Sequence, residues 1–527
     1  VIEGGATAIT IALPAAGALV AMTIRGIAWR VFAVACVAVL ALDLAIAATV
    51  RETGSALRWR AGELIGMDGV WDLALRADGL SAAMLLAVAL VMPAIGLYAR
   101  RTPRPHDAES RRSAGSIPAG LLAIWAALNA VFVGNDLFTL FVAVEALTLS
   151  AVSLVCVGAR TPLLRAALRY LLFASIGSAL YLLGVALIHG AVGTVDLDAL
   201  AAIARGRGAG SATPAVLPAI ALMTVGMLAK AGVFPLHLWL PAVHAGAPAA
   251  ISAVHSSLVV KAAFFVTLRL WLDVMRDAPN ELPAQFIATM GACAIVVGSV
   301  LALRQARLKL LVAYSTVAQI GYLFIIFPLA ISHAAVGPAG SALMNSAITG
   351  AMLQAISHAF AKAAMFLAAG LIAERLGHDR IDGLHGVGRV LPIAVLAFVI
   401  GGASLMGLPP SGGFWAKWLL LTAAVVAGQW WWALVMFAGG LLAGCYVARV
   451  AVPALSPHAA DATGGLTIVS PARQGITLAL ALTSLLLGFM AAAPPDLVTA
   501  GLRIADGGEV MERIPLVPSM PAMEASP

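Results

Sequence analysis

The sequence predicts an all-α polytopic membrane protein of about fourteen transmembrane helices, with two inverted five-helix repeats that each contain a broken helix. Three observations carry this. Of the 527 residues, 61% are hydrophobic and 11% charged, and the mean hydropathy is +0.98. A water-exposed domain could not cover its surface with so few charges. Apolar runs of about 20 residues, each long enough to cross a bilayer, recur from end to end. Two of these runs hold prolines beside a lysine, in Lys230-Ala-Gly-Val-Phe-Pro235 and Gly407-Leu-Pro409-Pro410-Ser-Gly-Gly-Phe-Trp-Ala-Lys417.

Spans are expected at 6–24, 29–50, 78–99, 116–134, 137–158, 164–189, 214–240, 249–272, 284–303, 310–332, 342–373, 390–428, 430–453 and 474–493. The chain begins at a valine without a charged leading segment, so its first apolar run is expected to be a retained span, not a signal peptide. Segment 51–77 is polar, with room for a short surface helix or hairpin. Spans seven and twelve are expected to break at Pro235 and at Pro409/Pro410, because proline removes a helical hydrogen bond and clashes with the preceding turn. Broken backbone at membrane depth is tolerated where it is buried in protein or lines a wet cavity.

The breaks divide the chain into helices 1–3 (1–115), a first repeat (116–272), a second repeat (284–453), and a last helix with a Pro-rich tail (454–527). Five spans per repeat make the two repeats inverted, an arrangement that recurs in transporters.

The formal charge of +7 resides in short loops and reflects orientation, not nucleic-acid binding. With the N-terminus outside, inside loops hold eighteen basic residues and outside segments nine, which predicts N-out and C-out. Asp68, Asp72, Asp196, Asp198, Asp273, Asp277 and Glu281 also fall outside. Cys36, Cys156, Cys293 and Cys445 lack metal-ligand or redox spacing and are expected to be buried small apolar residues.

Lysine is segregated from arginine. Lys230, Lys261, Lys362 and Lys417 fall inside spans and only Lys309 lies in a loop, while arginine serves the loops almost alone. Arginine stays protonated in proteins, whereas a buried lysine can release its proton. An intramembrane ionisable group is a functional-site hypothesis by default. The plainer readings are a snorkelling lysine and a simple proline kink.

Glu145 is the one acid this reading places well inside a span, about 12 Å below the helix end at 1.5 Å per residue. Lys230 is its expected partner, since a lone buried carboxylate is costly. The pair could gate proton loading by opening and closing, or be a permanent structural ion pair. Lys261 is expected to share a helix face with Ser257, four residues earlier, with His255 nearby. Gln354, His358 and Lys362, at i, i+4 and i+8, form one polar stripe suited to proton relay. Lys417 follows the second break and mirrors Lys230. Glu145, Lys230, Lys261, Lys362 and Lys417 then form a lateral polar axis. His237 and His244 are candidates for access from the inside, Asp136 is a boundary residue, and Arg269 a snorkelling one.

These stretches resemble a known family. Asp136-Leu-Phe-Thr-Leu-Phe-Val-Ala-Val-Glu145, Lys230-Ala-Gly-Val-Phe-Pro-Leu-His-Leu-Trp-Leu-Pro241, Tyr314-Ser315-Thr-Val-Ala-Gln319-Ile-Gly321-Tyr322, His358-Ala-Phe-Ala-Lys362 and Gly407 to Lys417 are similar to the antiporter-like membrane subunits of respiratory complex I, Mrp-type cation/proton antiporters and membrane-bound hydrogenases. The resemblance covers spans 3 to 13.

It implies that Glu145 and Lys230 form a first channel's pair, that Lys261 links to the centre, that Lys362 belongs to a second channel and that Lys417 is the terminal proton carrier. Lys261 and Lys417 lean toward the N-type and D-type branches, and Gln319 stands where many relatives have histidine. The implied partners are other membrane subunits of a multisubunit complex, peripheral redox subunits, the lipid bilayer, and protons, with Na⁺ as an alternative cargo. No cofactor, metal site or catalytic centre is expected in the chain itself. The expected location is a bacterial-type inner (cell) membrane. The competing functions are a gradient-driven Na⁺/H⁺ exchanger subunit and an inactive structural anchor.

Overall fold

The computed structural model describes residues 2–62, 73–102, 116–157, 161–207, 215–275, 281–331, 338–457, 469–490 and 496–500. Asp68, Asp72, Asp277 and the tail after 500 lie outside the described residues. The chain is almost wholly helical. The helices run α1 (Ile2–Thr23), α2 (Ala28–Thr53), α3 (Gly79–Arg100), α4 (Ile117–Val133), α5 (Leu137–Cys156), α6 (Thr161–Val192), α7 (Leu197–Arg207) and α8 (Val216–Ala231). They continue with α9 (Trp239–Gly246), α10 (Ala249–Val274), α11 (Glu281–Leu303), α12 (Leu308–Phe324) and α13 (Pro338–Leu376). The last are α14 (Pro392–Met406), α15 (Gly412–Val426), α16 (Trp430–Ala454) and α17 (Pro471–Met490).

Among the described residues, twelve helical stretches are long and apolar enough to span a membrane. The expected count of fourteen additionally requires α4 to cross, and α14 with α15 to act as one broken crossing.

Several helix starts are set by short polar side chains that satisfy otherwise orphaned N–H groups. Asp78 accepts from Ser81 N, Asp136 from Thr139 N, and Ser411 from Phe414 N. Asp136 is thus a boundary residue, as expected. In α10, α12 and α13 the apolar stretch is 89% buried, against 33% in α1, α2 and α16. The first three are covered on nearly every side and so occupy the centre of the bundle. α13 packs against α10, α12, α14, α15 and α17. The lysines Lys261 and Lys362 sit on two of these central helices.

Segment 51–77 contains a hairpin. β1 (Leu57–Arg60) pairs antiparallel with β2 (Ala74–Ala77), with Leu57 opposite Ala77. A charge network clamps it to the bundle. Arg58 bonds Asp198, Arg60 bonds Asp196 at 2.6 Å, and Arg76 reaches both Asp198 and Asp273 at 2.8 Å.

Two expectations fail here. Arg269 does not snorkel: it is buried and grips Asp78 through both terminal nitrogens at 2.5 Å. Asp78, fixed as the cap of α3, gives the guanidinium a planar two-oxygen partner, which outcompetes a reach toward water. Nor are the cysteines buried. Cys156, Cys293 and Cys445 are exposed and Cys36 half-buried, because a bundle surface that faces lipid is as apolar as its core.

The buried clamp predicts a measurable stability loss. Asp78→Asn leaves Arg269 without its carboxylate and should cost about 3–5 kcal/mol, read as a lower thermal midpoint in detergent. Burial alone would raise the Asp78 carboxyl, but Arg269 and Arg76 outweigh it and hold it at about 2, below the ordinary 3.8. A depressed carboxylate stabilises fully above its unfolded value, so the gap between wild type and variant should shrink as pH falls from 3.8 toward about 2.

Candidate functional site

The site begins where α8 stops. Gly232 ends the helix at φ 70°, Phe234–Pro235 is a cis peptide, and a 3₁₀ turn at Leu236–Leu238 leads into α9. The break is therefore made by Gly232 together with Pro235. Lys230 lies in the last turn before it. Its Nζ is 3.3 Å from Glu145 Oε2 and donates to Thr148 Oγ1 at 2.8 Å. Ser178, on α6, donates its hydroxyl to the same carboxylate oxygen. Glu145 and Lys230 are thus brought together, as their separate placement in two spans required. The lysine side chain is 5% exposed and the glutamate 27%, so the pair reaches the bundle surface from the acid's side.

His255 carries the site into α10. Its two ring nitrogens face carbonyls, Ile251 O at 2.9 Å and Ala151 O at 3.2 Å, the latter on Glu145's own helix. A neutral imidazole has one N–H, so only the protonated ring donates to both. Tyr170 stacks on Trp239 and meets the His255 ring edge-on. His237, in the 3₁₀ turn, is buried with its ring 6.5 Å from that of Tyr314 on α12. His244 stacks on Phe366 of α13.

Lys261 and Ser257, expected on one helix face, do not bond each other. α10 contains a π-helical turn at His255–Val259, which displaces the register by one residue. Lys261 Nζ instead donates to Ser256 O, five residues earlier, at 2.6 Å. The regular span foreseen at 249–272 concealed this, since nothing in local composition marks a π turn.

Lys362 donates to Val312 O at 2.9 Å and to Ser315 Oγ at 2.5 Å, both on α12. His358, one turn earlier, is buried, has no hydrogen-bond partner on either nitrogen among the described residues, and lies within electrostatic reach of Lys261, Lys362 and Lys417. Gln354 donates to Gln319 Oε1 at 3.0 Å, and Gln319 donates in turn to Leu405 O at 3.2 Å.

The second break parts α14 from α15, with Gly407 at φ 85° and a cis Pro409–Pro410 peptide. Lys417 does not mirror Lys230. It stands after its break, and it donates to Leu405 O at 2.5 Å and Met406 O at 3.2 Å. Its Nζ also sits 4.5 Å from the centre of the Tyr322 ring. Those carbonyls end α14, where unpaired acceptors and the negative end of the helix dipole favour a cation. Among the described residues, Lys230 alone of the four lysines has a carboxylate partner. Sequence reasoning missed Thr148 and Ser178, although Thr148 stands three residues after Glu145 and so on its face.

Known proteins are similar to this chain in sequence and in fold. Residues 134–443 match the family described as NADH:quinone oxidoreductase/Mrp antiporter, TM. The chain belongs to that family. NADH-quinone oxidoreductase subunit N of Desulforudis audaxviator is 31% identical over 386 residues, 72% of each chain. The D-type subunit of the Na(+)/H(+) antiporter of Bacillus subtilis is 25% identical over 391 residues, 74% of each chain. In fold, the chain is similar to one in the membrane-bound sulfane sulfur reductase, an archaeal respiratory membrane complex. That match has a TM-score of 0.81 at 24% identity and covers 94% of this chain and 96% of the other.

The second break makes a specific demand. A Cβ at Gly407 would lie 2.9 Å from Lys417 Cδ, in a left-handed backbone conformation. Gly407→Ala should therefore cost about 1–2 kcal/mol from the backbone alone, seen as a lowered thermal midpoint, and should displace Lys417 from the end of α14.

Proposed function

We propose that this chain is a proton-translocating, antiporter-like membrane subunit of a multisubunit energy-converting complex. The observation that carries it is the set of four buried lysines, one held by a carboxylate and three by carbonyl or hydroxyl oxygens. An ammonium at this depth keeps its proton only while its oxygens are in place. When Glu145 and Lys230 part, Lys230 retains only the Thr148 hydroxyl and its hold on the proton weakens. When they meet again, it reloads. His255, and then His358 near Lys261, Lys362 and Lys417, are imidazoles placed to hand a proton along the row.

On this reading Glu145, Lys230, Lys261, Lys362 and Lys417 are the proton carriers, and His358, His255 and His237 the relays. Pro235, Pro409 and Pro410 mark the breaks that expose the carbonyls. The two breaks belong to two inverted repeats, 116–272 and 284–453, each contributing a half-channel. Both termini face outside across an inner (cell) membrane. The driving reaction belongs to partner chains, which would shift the pair equilibrium through differential contacts. The partial exposure of Glu145 supports such contact, since a neighbouring subunit packed there would change its surroundings.

A second reading, the D-type subunit of a gradient-driven Na⁺/H⁺ antiporter, is favoured by the 74% coverage shared with the Bacillus subtilis antiporter chain. Mild solubilisation of native membranes and mass spectrometry of the co-purifying chains separates the two. Redox subunits support the first reading, and only small hydrophobic antiporter-like partners support the second.

The carriers can be tested in membrane vesicles that hold the intact complex. Lys230→Ala and Lys417→Ala should each reduce proton movement to background. Lys230→Arg should do the same although it preserves the ion pair, because arginine does not release its proton. Full transport in Lys230→Arg would mean that the Glu145–Lys230 pair is purely structural.

A further inference from the structure

A second acid lies inside a span, apart from the lysines. Asp43, in the middle of α2, is fully buried. Sequence reasoning passed over it by treating Glu145 as the one acid at depth. Thr10 of α1 donates its hydroxyl to Asp43 Oδ1 at 2.6 Å. Asn129 of α4, also fully buried, donates its amide to Thr10 O at 2.9 Å and to Thr10 Oγ1 at 3.0 Å. Three helices thus converge on one polar knot. Two of its oxygens, Asp43 Oδ2 and Asn129 Oδ1, are shut off from solvent without a hydrogen-bond partner.

Among the described residues Asp43 is paired with no cation, and its hydrogen-bond partner is the Thr10 hydroxyl. The ionisable residues on the elements packed against it stand near helix ends. They are Glu3 on α1, Arg25 on the 3₁₀ turn Arg25–Ile27, Tyr98 and Arg100 on α3, none on α4, and Asp496 on the short helix Asp496–Thr499. α2 itself adds Arg30, Cys36, Arg51 and Glu52. A bare carboxylate held this way is costly. The unused acceptors are all hard oxygens, the donor type that protons and small alkali ions take.

We propose that Asp43, Thr10 and Asn129 form a monovalent-cation site, separate from the lysine axis, which holds a proton or a small alkali ion such as Na⁺ on Asp43. It lies on helices that precede or flank the family match at 134–443. Exchange at this site is electroneutral. One alkali ion binds to the carboxylate as one proton leaves it, so the knot stays uncharged in both states.

Infrared difference spectroscopy on the full chain, purified from native membranes into lipid vesicles in choline buffer at neutral pH, tests this. The expected result is the carbonyl stretch of a protonated carboxylic acid, lost in Asp43→Asn. Thr10→Val keeps the acid and removes its hydrogen bond, so it should shift that band to higher frequency, and the assignment does not depend on Asp43→Asn folding. Loss of the band on adding NaCl, with carboxylate signal gained, identifies alkali-ion exchange. Persistence in NaCl identifies a proton-only site. An Asp43 that is ionised in choline buffer, or a band unmoved by either variant, overturns the proposal.

Discussion

The structure depends on how a helical bundle holds buried positive charge. An ammonium inside a bilayer-spanning bundle is withdrawn from bulk solvent, and regular helices offer it little, because their interior carbonyls are already bonded. Carbonyls become available only where a helix ends, breaks or changes pitch. Two of the lysines sit at such places. Lys417 takes the last carbonyls of α14, and Lys261 takes a carbonyl at the π turn of α10. Lys362 instead shares the carbonyl of Val312, inside the regular helix α12, and adds the Ser315 hydroxyl.

Lys230 is the exception, and the difference has consequences. Its partner Glu145 is mounted on another helix and reaches the bundle surface, so the partnership can be altered from outside the chain. The other three are bound to carbonyl and hydroxyl oxygens of rigid, buried helices. A chain built this way has one adjustable end and a row of fixed neutral nests.

The scaffold around this row is anchored at both faces by arginine. On the hairpin face, Arg76 and Arg269 tie β2, α3, α7 and α10 together through Asp78, Asp198 and Asp273. On the opposite face Arg473 joins α17 to Glu374 of α13 and to the Tyr98 hydroxyl of α3. Arginine suits these duties because its planar fork holds two oxygens at once and does not lose charge. Four of the five lysines are kept for the interior.

Composition and hydropathy alone determined the class of the molecule, since apolar runs of bilayer length permit little besides helices. The sparse lysines announced themselves against an arginine background, and Gly-Pro punctuation located both breaks. Local patterns could not reveal which oxygens each lysine would find. That depends on helices remote in sequence, as with Lys362 and Val312. Nor could they reveal a π turn that replaces Ser257 by the carbonyl of Ser256, because backbone pitch follows from packing on all sides. The same limit hid the Asp78–Arg269 clamp and the Asp43 knot, whose members are contributed by separate helices. Sequence decided which residues could be charged at depth, and tertiary structure decided what would stand beside them.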